Sequence, residues 1–309
     1  MRTATPETSP LALRQGQARG HYVLDGHAAT APPLAPGLYL VATPIGNLRD
    51  ITLRALEALA AADLIACEDT RRSRKLLDHY GVRSPLSPYH DHNAATVRPK
   101  LLGRLAQGEA IALISDAGTP LVSDPGYKLV REAQERGHTV TALPGPSALL
   151  AALTVSGLPT DRFLFEGFLP AKAAQRRSRI DALKSVPATL IIFEAGARIA
   201  AALADLAAAL SPREAAVCRE LTKLHEEVHR GDLAVLAGNY ASDPERRGEF
   251  VVVVGPPQNQ PELSPTDLDA LLRAALERLS VREAVAEAVA VTGAPRRLVY
   301  QRALALRGE

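Results

Sequence analysis

The sequence predicts two consecutive α/β domains followed by a small helical domain. Three observations carry this. Between Gly37 and Pro257, short apolar runs of strand length alternate with stretches whose apolar residues recur at helical spacing. The segments that follow those runs are short and rich in Gly, Pro, Ser and Asp, and in open α/β sheets ligands bind at that edge. A Pro-containing linker, Gln258 to Pro265, then precedes Ser280-Val281-Arg282-Glu283, which has the spacing of a helix capping box. The boundaries expected from these signals are a flexible extension over 1–36, a first α/β domain over 37–144, a second over 145–258, and a linker with a helical domain over 259–309.

A length of 309 residues suits two domains and a small third. The formal charge of +2 does not by itself mark a nucleic-acid partner, although basic residues cluster locally. Cys67 and Cys218 lie far apart in apolar surroundings and read as reduced core thiols. No stretch has the length of a membrane span, and the N-terminus lacks the apolar core of a signal peptide, so a cytoplasmic location with no membrane contact is expected. Residues 1–36, rich in Ala, Pro, Gly and Thr, show no sustained periodicity.

Gly37 to Ala42 reads as the first strand, Thr43 to Asp50 as its loop, and Ile51 to Leu59 as a helix capped by Asp50 or Thr52. Ala62 to Cys67 is the second strand. Glu68, Asp69, Arg71 and Arg72 follow at its tip, either as surface ion pairs or as a polar wall facing a ligand. Arg74 to Tyr80 is helical. Ser87 to Asn93 is a polar loop in which His90 and His92 lack a third metal ligand at a convincing spacing, so no metal site is expected. A helix over Val97 to Gly108 leads to the central segment, Ile111 to Gly126. Its apolar strand ends in Ser115-Asp116-Ala117-Gly118-Thr119-Pro120 and Ser123-Asp124-Pro125-Gly126. Small residues there expose backbone N–H groups to a ligand, while Pro120 and Pro125 stiffen the loop. The spacing matches neither the dinucleotide nor the triphosphate glycine motif. Helix Gly126 to Arg136 and strand Thr139 to Leu143 complete this half.

Pro144-Gly145-Pro146-Ser147 reads as a hinge, with Ser147 capping the next helix. Strand Phe163 to Leu169 opens the second half. Lys172, Arg176, Arg177, Arg179 and Lys184 crowd the stretch after it, which is expected to contact RNA phosphates. Ala188 to Glu194 is a buried strand and Arg198 to Leu210 an Ala-rich helix. Ala215 to Glu220 is a strand that exits into dense charge: Arg219, Glu220, Lys223, His225, Glu226 and Glu227. A short helix begins at Arg230 to Leu233, and the segment Glu249 to Pro257 closes the sheet. In the tail, Asp267 to Arg307, the turn at Thr292 to Arg297 places Arg296 and Arg297 at a basic corner of a helix-turn-helix-like unit, for which a stabilising cap or dimer element is the competing reading.

Five ordered motifs then resemble one family. They are Leu40 to Asp50, Cys67 to Arg71, Ser115 to Gly126, Leu143 to Ser147, and Arg219 to Glu227. Together they resemble the small-subunit ribosomal RNA cytidine 2′-O-methyltransferases, within the tetrapyrrole methylase-like superfamily. The resemblance implies S-adenosylmethionine bound in a cleft between two α/β domains of the tetrapyrrole methylase type. It implies as substrate a cytidine of 16S rRNA near the decoding centre of the small ribosomal subunit. Donor-binding residues are then expected at Pro44, Ser115, Asp116, Ala117, Gly118, Thr119, Pro144 and Ser147. RNA-binding residues are expected at Arg71, Lys172, Arg176, Arg177, Arg179, Arg296 and Arg297. The chain departs from the family at Glu194-Ala195-Gly196-Ala197-Arg198, where the family carries Glu-Ser-Pro-His-Arg. The shape of that loop is what the departure calls into question.

Methyl transfer to a ribose hydroxyl requires orientation and a polar setting for the oxygen, with no metal demanded by the chemistry. The candidates for assisting the oxygen are Asp50, Glu68, Asp69, Glu220 and Lys223, with Glu220–Lys223 as a structural ion pair the competing reading. Two other classes remain open on sequence alone: a tetrapyrrole-precursor methyltransferase on the same fold, and a non-catalytic RNA-binding assembly protein. The oligomeric state is also open, a homodimer included.

Overall fold

The structure, a computed structural model, describes residues 20–242, 247–257, 265–292, 294 and 296–307. It opens with a hairpin, β1 (His21–Leu24) and β2 (His27–Thr30), paired antiparallel. Its turn, Asp25-Gly26, has φ of 49° and 81°, the left-handed pair that two-residue hairpins favour. Tyr22 is buried, and the Val23 N–H donates to the Tyr80 carbonyl at 2.7 Å. The expected extension over 1–36 is thus corrected for residues 20–36: they form an ordered hairpin and strap, with Ala31 and Leu34 buried in the first domain's core. Residues 1–19 lie outside the described residues.

The first domain runs β3 (Gly37–Val41), α1 (Leu53–Ala61), β4 (Leu64–Cys67), α2 (Thr70–His79), β5 (Leu86–Pro88), α3 (Ala94–Ala106), β6 (Ala110–Ile114), α4 (Tyr127–Glu135) and β7 (Val140–Leu143). The five strands are all parallel, in the order β5-β4-β6-β3-β7. β4 and β6 are buried throughout, as a sheet covered on both faces requires. Thr52 caps α1 by accepting from the Ala55 N–H at 3.1 Å, so of the two expected caps it is Thr52 that serves. Every loop at the carboxyl ends of β3, β4 and β6 therefore faces the same edge.

After Pro144 to Ser147 the chain crosses into the second domain: α5 (Ala148–Ser156), β8 (Phe163–Phe168), α6 (Ala173–Leu183), β9 (Thr189–Ala195), α7 (Gly196–Leu210), β10 (Glu214–Arg219), β11 (Glu227–Asp232), α8 (Leu233–Ala241) and β12 (Glu249–Val254). Its sheet is mixed, ordered β11-β10-β12-β9-β8, parallel only between β8 and β9. The helix expected from Arg230 begins at Leu233; residues 230–232 end the edge strand β11, and Asp232 caps the helix. The crossing is not a free hinge. The Thr119 hydroxyl donates to the Pro146 carbonyl at 3.2 Å, and a Cβ on Gly145 would stand 2.9 Å from that of Ala42. Leu149, Leu153, Ile45 and the inner face of β10 and β12 share one apolar cluster that spans both domains.

The tail folds as α9 (Pro265–Leu276), α10 (Val281–Thr292) and α11 (Arg296–Arg307) around Leu272, Val285, Ala288, Val299 and Ala303. The capping box is present: the Ser280 N–H donates to Glu283 Oε2 at 3.1 Å and the Glu283 N–H to Ser280 Oγ at 3.4 Å. The linker residues 258–264 lie outside the described residues.

Candidate active site

A cavity of about 600 Å³ opens where the two sheets face each other. The first domain contributes Ile45, Glu68, Asp69, Arg72, Asp116, Ala117 and Val122 to Asp124. The second contributes an apolar wall, including Phe168, Phe193, Cys218 and Val251, with Lys223 and Glu249 among the polar residues that line the cavity. Cys218 is a free thiol whose pKa burial pushes up to about 11, so it presents a neutral surface.

The loop after β6 is braced from behind. Ser115 Oγ donates to the Gly118 carbonyl at 2.8 Å, and Thr43 Oγ1 donates to the Ser115 carbonyl at 3.1 Å. Thr43 and Gly118 exchange both backbone hydrogen bonds at 2.9 Å. Gly118 has φ +86°, and Leu121 and Ser123 also hold positive φ, a strain that the bracing sustains. Of the expected donor-binding residues, Asp116 and Ala117 line the cavity. Ser115, Gly118 and Thr119 shape the loop beneath them. Pro44 is half-buried beside Ile45, Pro144 is exposed in the crossing, and Ser147 caps α5 at 3.5 Å from the Leu150 N–H.

Four carboxylates meet at this edge. Asp69 is committed: it caps α2, and its two oxygens take Arg71 Nε and Nη2 at 3.2 and 3.0 Å. Those hydrogen bonds hold its pKa down to about 2, which makes it a poor proton acceptor. Asp116 accepts from the Asp69 N–H at 3.0 Å and lies 3.4 Å from Arg72. Asp124 is pushed the other way, up to about 7, by burial first and then by the charges of Glu68 and Asp116. It hydrogen-bonds Glu68, and that bond adds to the retention of its own proton up to near neutrality. The Ser123-Asp124-Pro125-Gly126 turn was visible in the sequence, but its residues were not among the expected site residues. Asp50, expected at the reacting centre, is corrected: it sits exposed in the 3-10 turn Leu48–Asp50 and does not line the cavity.

Lys223 is held by two carboxylates, at 2.8 Å from Glu220 Oε1 and 2.8 Å from Glu249 Oε2. Burial lowers its pKa, but the two hydrogen-bonded carboxylates outweigh burial and raise it, so Lys223 stays charged. Glu220, at φ +49°, also accepts from the Glu249 N–H at 2.9 Å; burial raises its pKa, and the Lys223 bond with its other partners brings it below the ordinary value. Glu220 does not line the cavity, whereas Lys223 and Glu249 do. The first domain fixes this loop: the Asn47 N–H donates to Thr222 Oγ1 at 3.1 Å, and a Cβ on Gly46 would lie 2.4 Å from Lys223 Cγ.

The expected RNA-binding cluster is divided. Arg176 is buried, its guanidinium on Asp205 at 2.7 and 2.8 Å, so the expectation of a phosphate contact is corrected for it: Arg176 lies on the inner face of α6 with Ile180 and Leu183. Arg179 is forked onto Glu166 at 2.5 and 2.8 Å. Lys172 and Arg177 are exposed, as are Arg71, Arg296 and Arg297. At the departure from the family pattern, Glu194 is buried and takes Arg198 at 2.9 Å, so the retained pair braces the start of α7.

Residues 37–237 match the model of a family described as Tetrapyrrole (Corrin/Porphyrin) Methylases, and residues 262–307 match that of an RsmI C-terminal HTH domain. The chain is 55% identical over 278 residues to "Ribosomal RNA small subunit methyltransferase I" of Mesorhizobium japonicum, covering 90% of this chain and 94% of the relative. It is 45% identical over 273 residues to the protein of the same name in Escherichia coli O157:H7, covering 88% and 96%. Among solved structures it resembles a diphthine synthase (TM-score 0.55, 18% identity, 71% of this chain and 89% of that one). It also resembles uroporphyrin-III-C-methyltransferase from Thermus thermophilus (TM-score 0.52, 20% identity, 71% and 94%). These structural likenesses establish the two-domain fold.

Proposed function

The chain belongs to the tetrapyrrole methylase family, within it to the ribosomal RNA small subunit methyltransferase I group, and on that premise we propose that it transfers a methyl group from S-adenosylmethionine to the ribose 2′-hydroxyl of a cytidine in small-subunit rRNA. The carrying observation is the cavity between the sheets, with an apolar wall on one side and carboxylates beside a backbone-lined loop on the other. A cationic nucleoside suits that division: Phe168, Phe193 and Val251 offer apolar cover to its base, while Asp116 offers a negative charge to its cationic part. When bound, the donor supplies an electrophilic methyl on a sulfonium.

The protein's own residues then do three things. The braced Ser115–Thr119 loop fixes orientation, which contributes most to a reaction of two held partners. Lys223, charged and fixed between Glu220 and Glu249, offsets negative charge growing on the ribose oxygen. Asp124, which titrates near neutrality beside Glu68, accepts the hydroxyl proton; Asp69, locked onto Arg71, does not. The fold alone does not select RNA over a macrocycle. The RNA reading is supported by the identities to the rRNA enzymes and by the C-terminal unit.

The test is ribose-methylation mapping of small subunits from a strain lacking the gene, before and after treatment with purified protein and donor. One cytidine should gain a 2′-O-methyl group. A methyl on the base, or none on RNA together with turnover of a tetrapyrrole precursor, would overturn the reading.

A further inference from the structure

A second cavity, of about 330 Å³, adjoins the first along the same edge of the parallel sheet. It lies between the segment after β5 and the starts of α3 and α4. Its polar lining is Asp91, Arg98, Asp124 and Lys128, with the rings of Tyr89 and Tyr127. Asp124 lines both cavities. The rest of this set has no part in the donor site described above.

We propose that this second cavity is the pocket for the base of the target nucleotide, and that it takes a single unstacked cytosine. The inference rests on the proposed 2′-O-methylation. The 2′-oxygen is two bonds from the carbon that carries the base, so a base must seat within one ribose of the transferred methyl. Two cavities that share one wall residue meet that requirement, with the ribose over Asp124 at their junction. The volume lies at the lower end of the range for small-molecule pockets, about 300–1,000 Å³, which suits one nucleoside rather than a macrocycle.

The chemistry of the lining fits the same ligand. Tyr127 stands at the first turn of α4, 65% exposed, and a ring left uncovered beside a cavity offers a stacking face. Tyr89, only 2% exposed, forms part of the floor. Arg98 is fixed by Glu132 at 2.7 Å and supplies donors for a base carbonyl. Asp91 supplies an acceptor for an exocyclic amino group, the pairing by which carboxylates select cytosine over uracil. Lys128 is exposed beside Tyr127, where a flanking phosphate would lie.

The experiment is steady-state methylation of small subunits by the full chain, with donor affinity measured separately by calorimetry. Tyr127→Ala should raise KM for the particle by about tenfold to a hundredfold, with kcat and donor Kd within about twofold, because base stacking of this kind acts on binding. Tyr127→Phe, which keeps the ring, should restore KM. Asp91→Asn should narrow the preference for a target cytidine over a uridine placed at that position. Both side chains are exposed, and unchanged melting temperatures check that the variants fold. Normal KM in Tyr127→Ala together with unchanged base preference in Asp91→Asn would overturn the pocket. Weakened donor binding in Tyr127→Ala would also overturn it, by assigning the cavity to the donor. Absence of 2′-O-methylation by the wild-type protein is a different result, and it would refute the proposed function itself.

Discussion

Asp124→Asn separates the titration of the Asp124 carboxyl from its packing. The amide keeps the shape of the side chain and can still donate a hydrogen bond to Glu68, as the protonated acid does. In the folded chain the Asp124 pKa stands near 7 against 3.8 for the free group, raised by burial and by Glu68 and Asp116. A folded-state pKa above the unfolded one means that the folded chain binds more protons between those values. Stability therefore falls as pH rises from about 4 to about 7, and is level above that. The full shift has a ceiling of about 4 kcal/mol, and the partial exposure of Asp124 reduces it to about 1–2 kcal/mol. Asn escapes the loss, which is still incomplete at about pH 5, so the variant's margin over the wild type should be larger at about pH 8.5 than at about pH 5 by about 1–5 °C in melting temperature. Thermal scans of the donor-free protein at both pH values measure this. An equal difference at the two, of either sign, would refute a raised Asp124 pKa. The same variant should lose methylation at neutral pH, since an amide accepts no proton.

Three further outcomes are expected. Gly118→Leu should weaken donor binding by calorimetry, because φ +86° disfavours a side chain and its Cβ would press on Ile45 Cγ2 at 3.3 Å. Arg176→Ala should cost about 3–5 kcal/mol in denaturant unfolding by stranding Asp205, with RNA affinity unchanged, whereas Lys172→Ala and Arg177→Ala should each reduce the salt slope of RNA binding by somewhat under one log unit with stability unchanged. Truncation after Pro257 should leave donor affinity intact and reduce methylation of the particle, measured by calorimetry and by filter assay.

The strands that sequence reasoning missed share one property: none is interior to a sheet. β5 and β11 are edges of their sheets, and β1–β2 is a separate hairpin. An edge strand needs no continuous apolar run, and it tolerates the Pro88 of β5 or the charges of β11. The interior strands β6, β9 and β12 are buried over nearly their full length and were legible for that reason. The hairpin had a local signal in Asp25-Gly26, diluted by its short, half-exposed strands. In the cleft, the loop after β6 was legible because its small residues are contiguous. Asp124's neighbours were not, since Glu68 and Asp116 reach it only through the order of the parallel strands. Arg176 was misjudged as surface although Ile180 and Leu183 follow at i+4 and i+7, which places all three on one buried helix face.

The role of Lys223 turns on a pairing that only the folded sheet creates. Arg219 is registered opposite Phe250 across β10 and β12, so Glu220, one residue on, comes beside Glu249. The Glu220 N–H donates to the Glu249 carbonyl at 3.0 Å, and Lys223 Nζ sits between the two carboxylates. Without the ammonium, two like charges face each other, a destabilising arrangement on neighbouring strands. Lys223→Met therefore removes a positive charge from the cavity and also releases a repulsion, and its rate loss mixes both effects. Pairing it with Glu249→Gln separates them. Glu249→Gln alone keeps the ammonium and should stay within about threefold of the wild-type single-turnover rate. Lys223→Met with Glu249→Gln relieves the repulsion but still lacks the charge. If Lys223 stabilises the developing oxygen charge, the double variant should regain melting temperature relative to Lys223→Met yet remain slower than wild type by about tenfold to a thousandfold, roughly 1.4–4 kcal/mol. Recovery of rate in step with melting temperature would make the lysine a clasp for the loop and remove it from the chemistry.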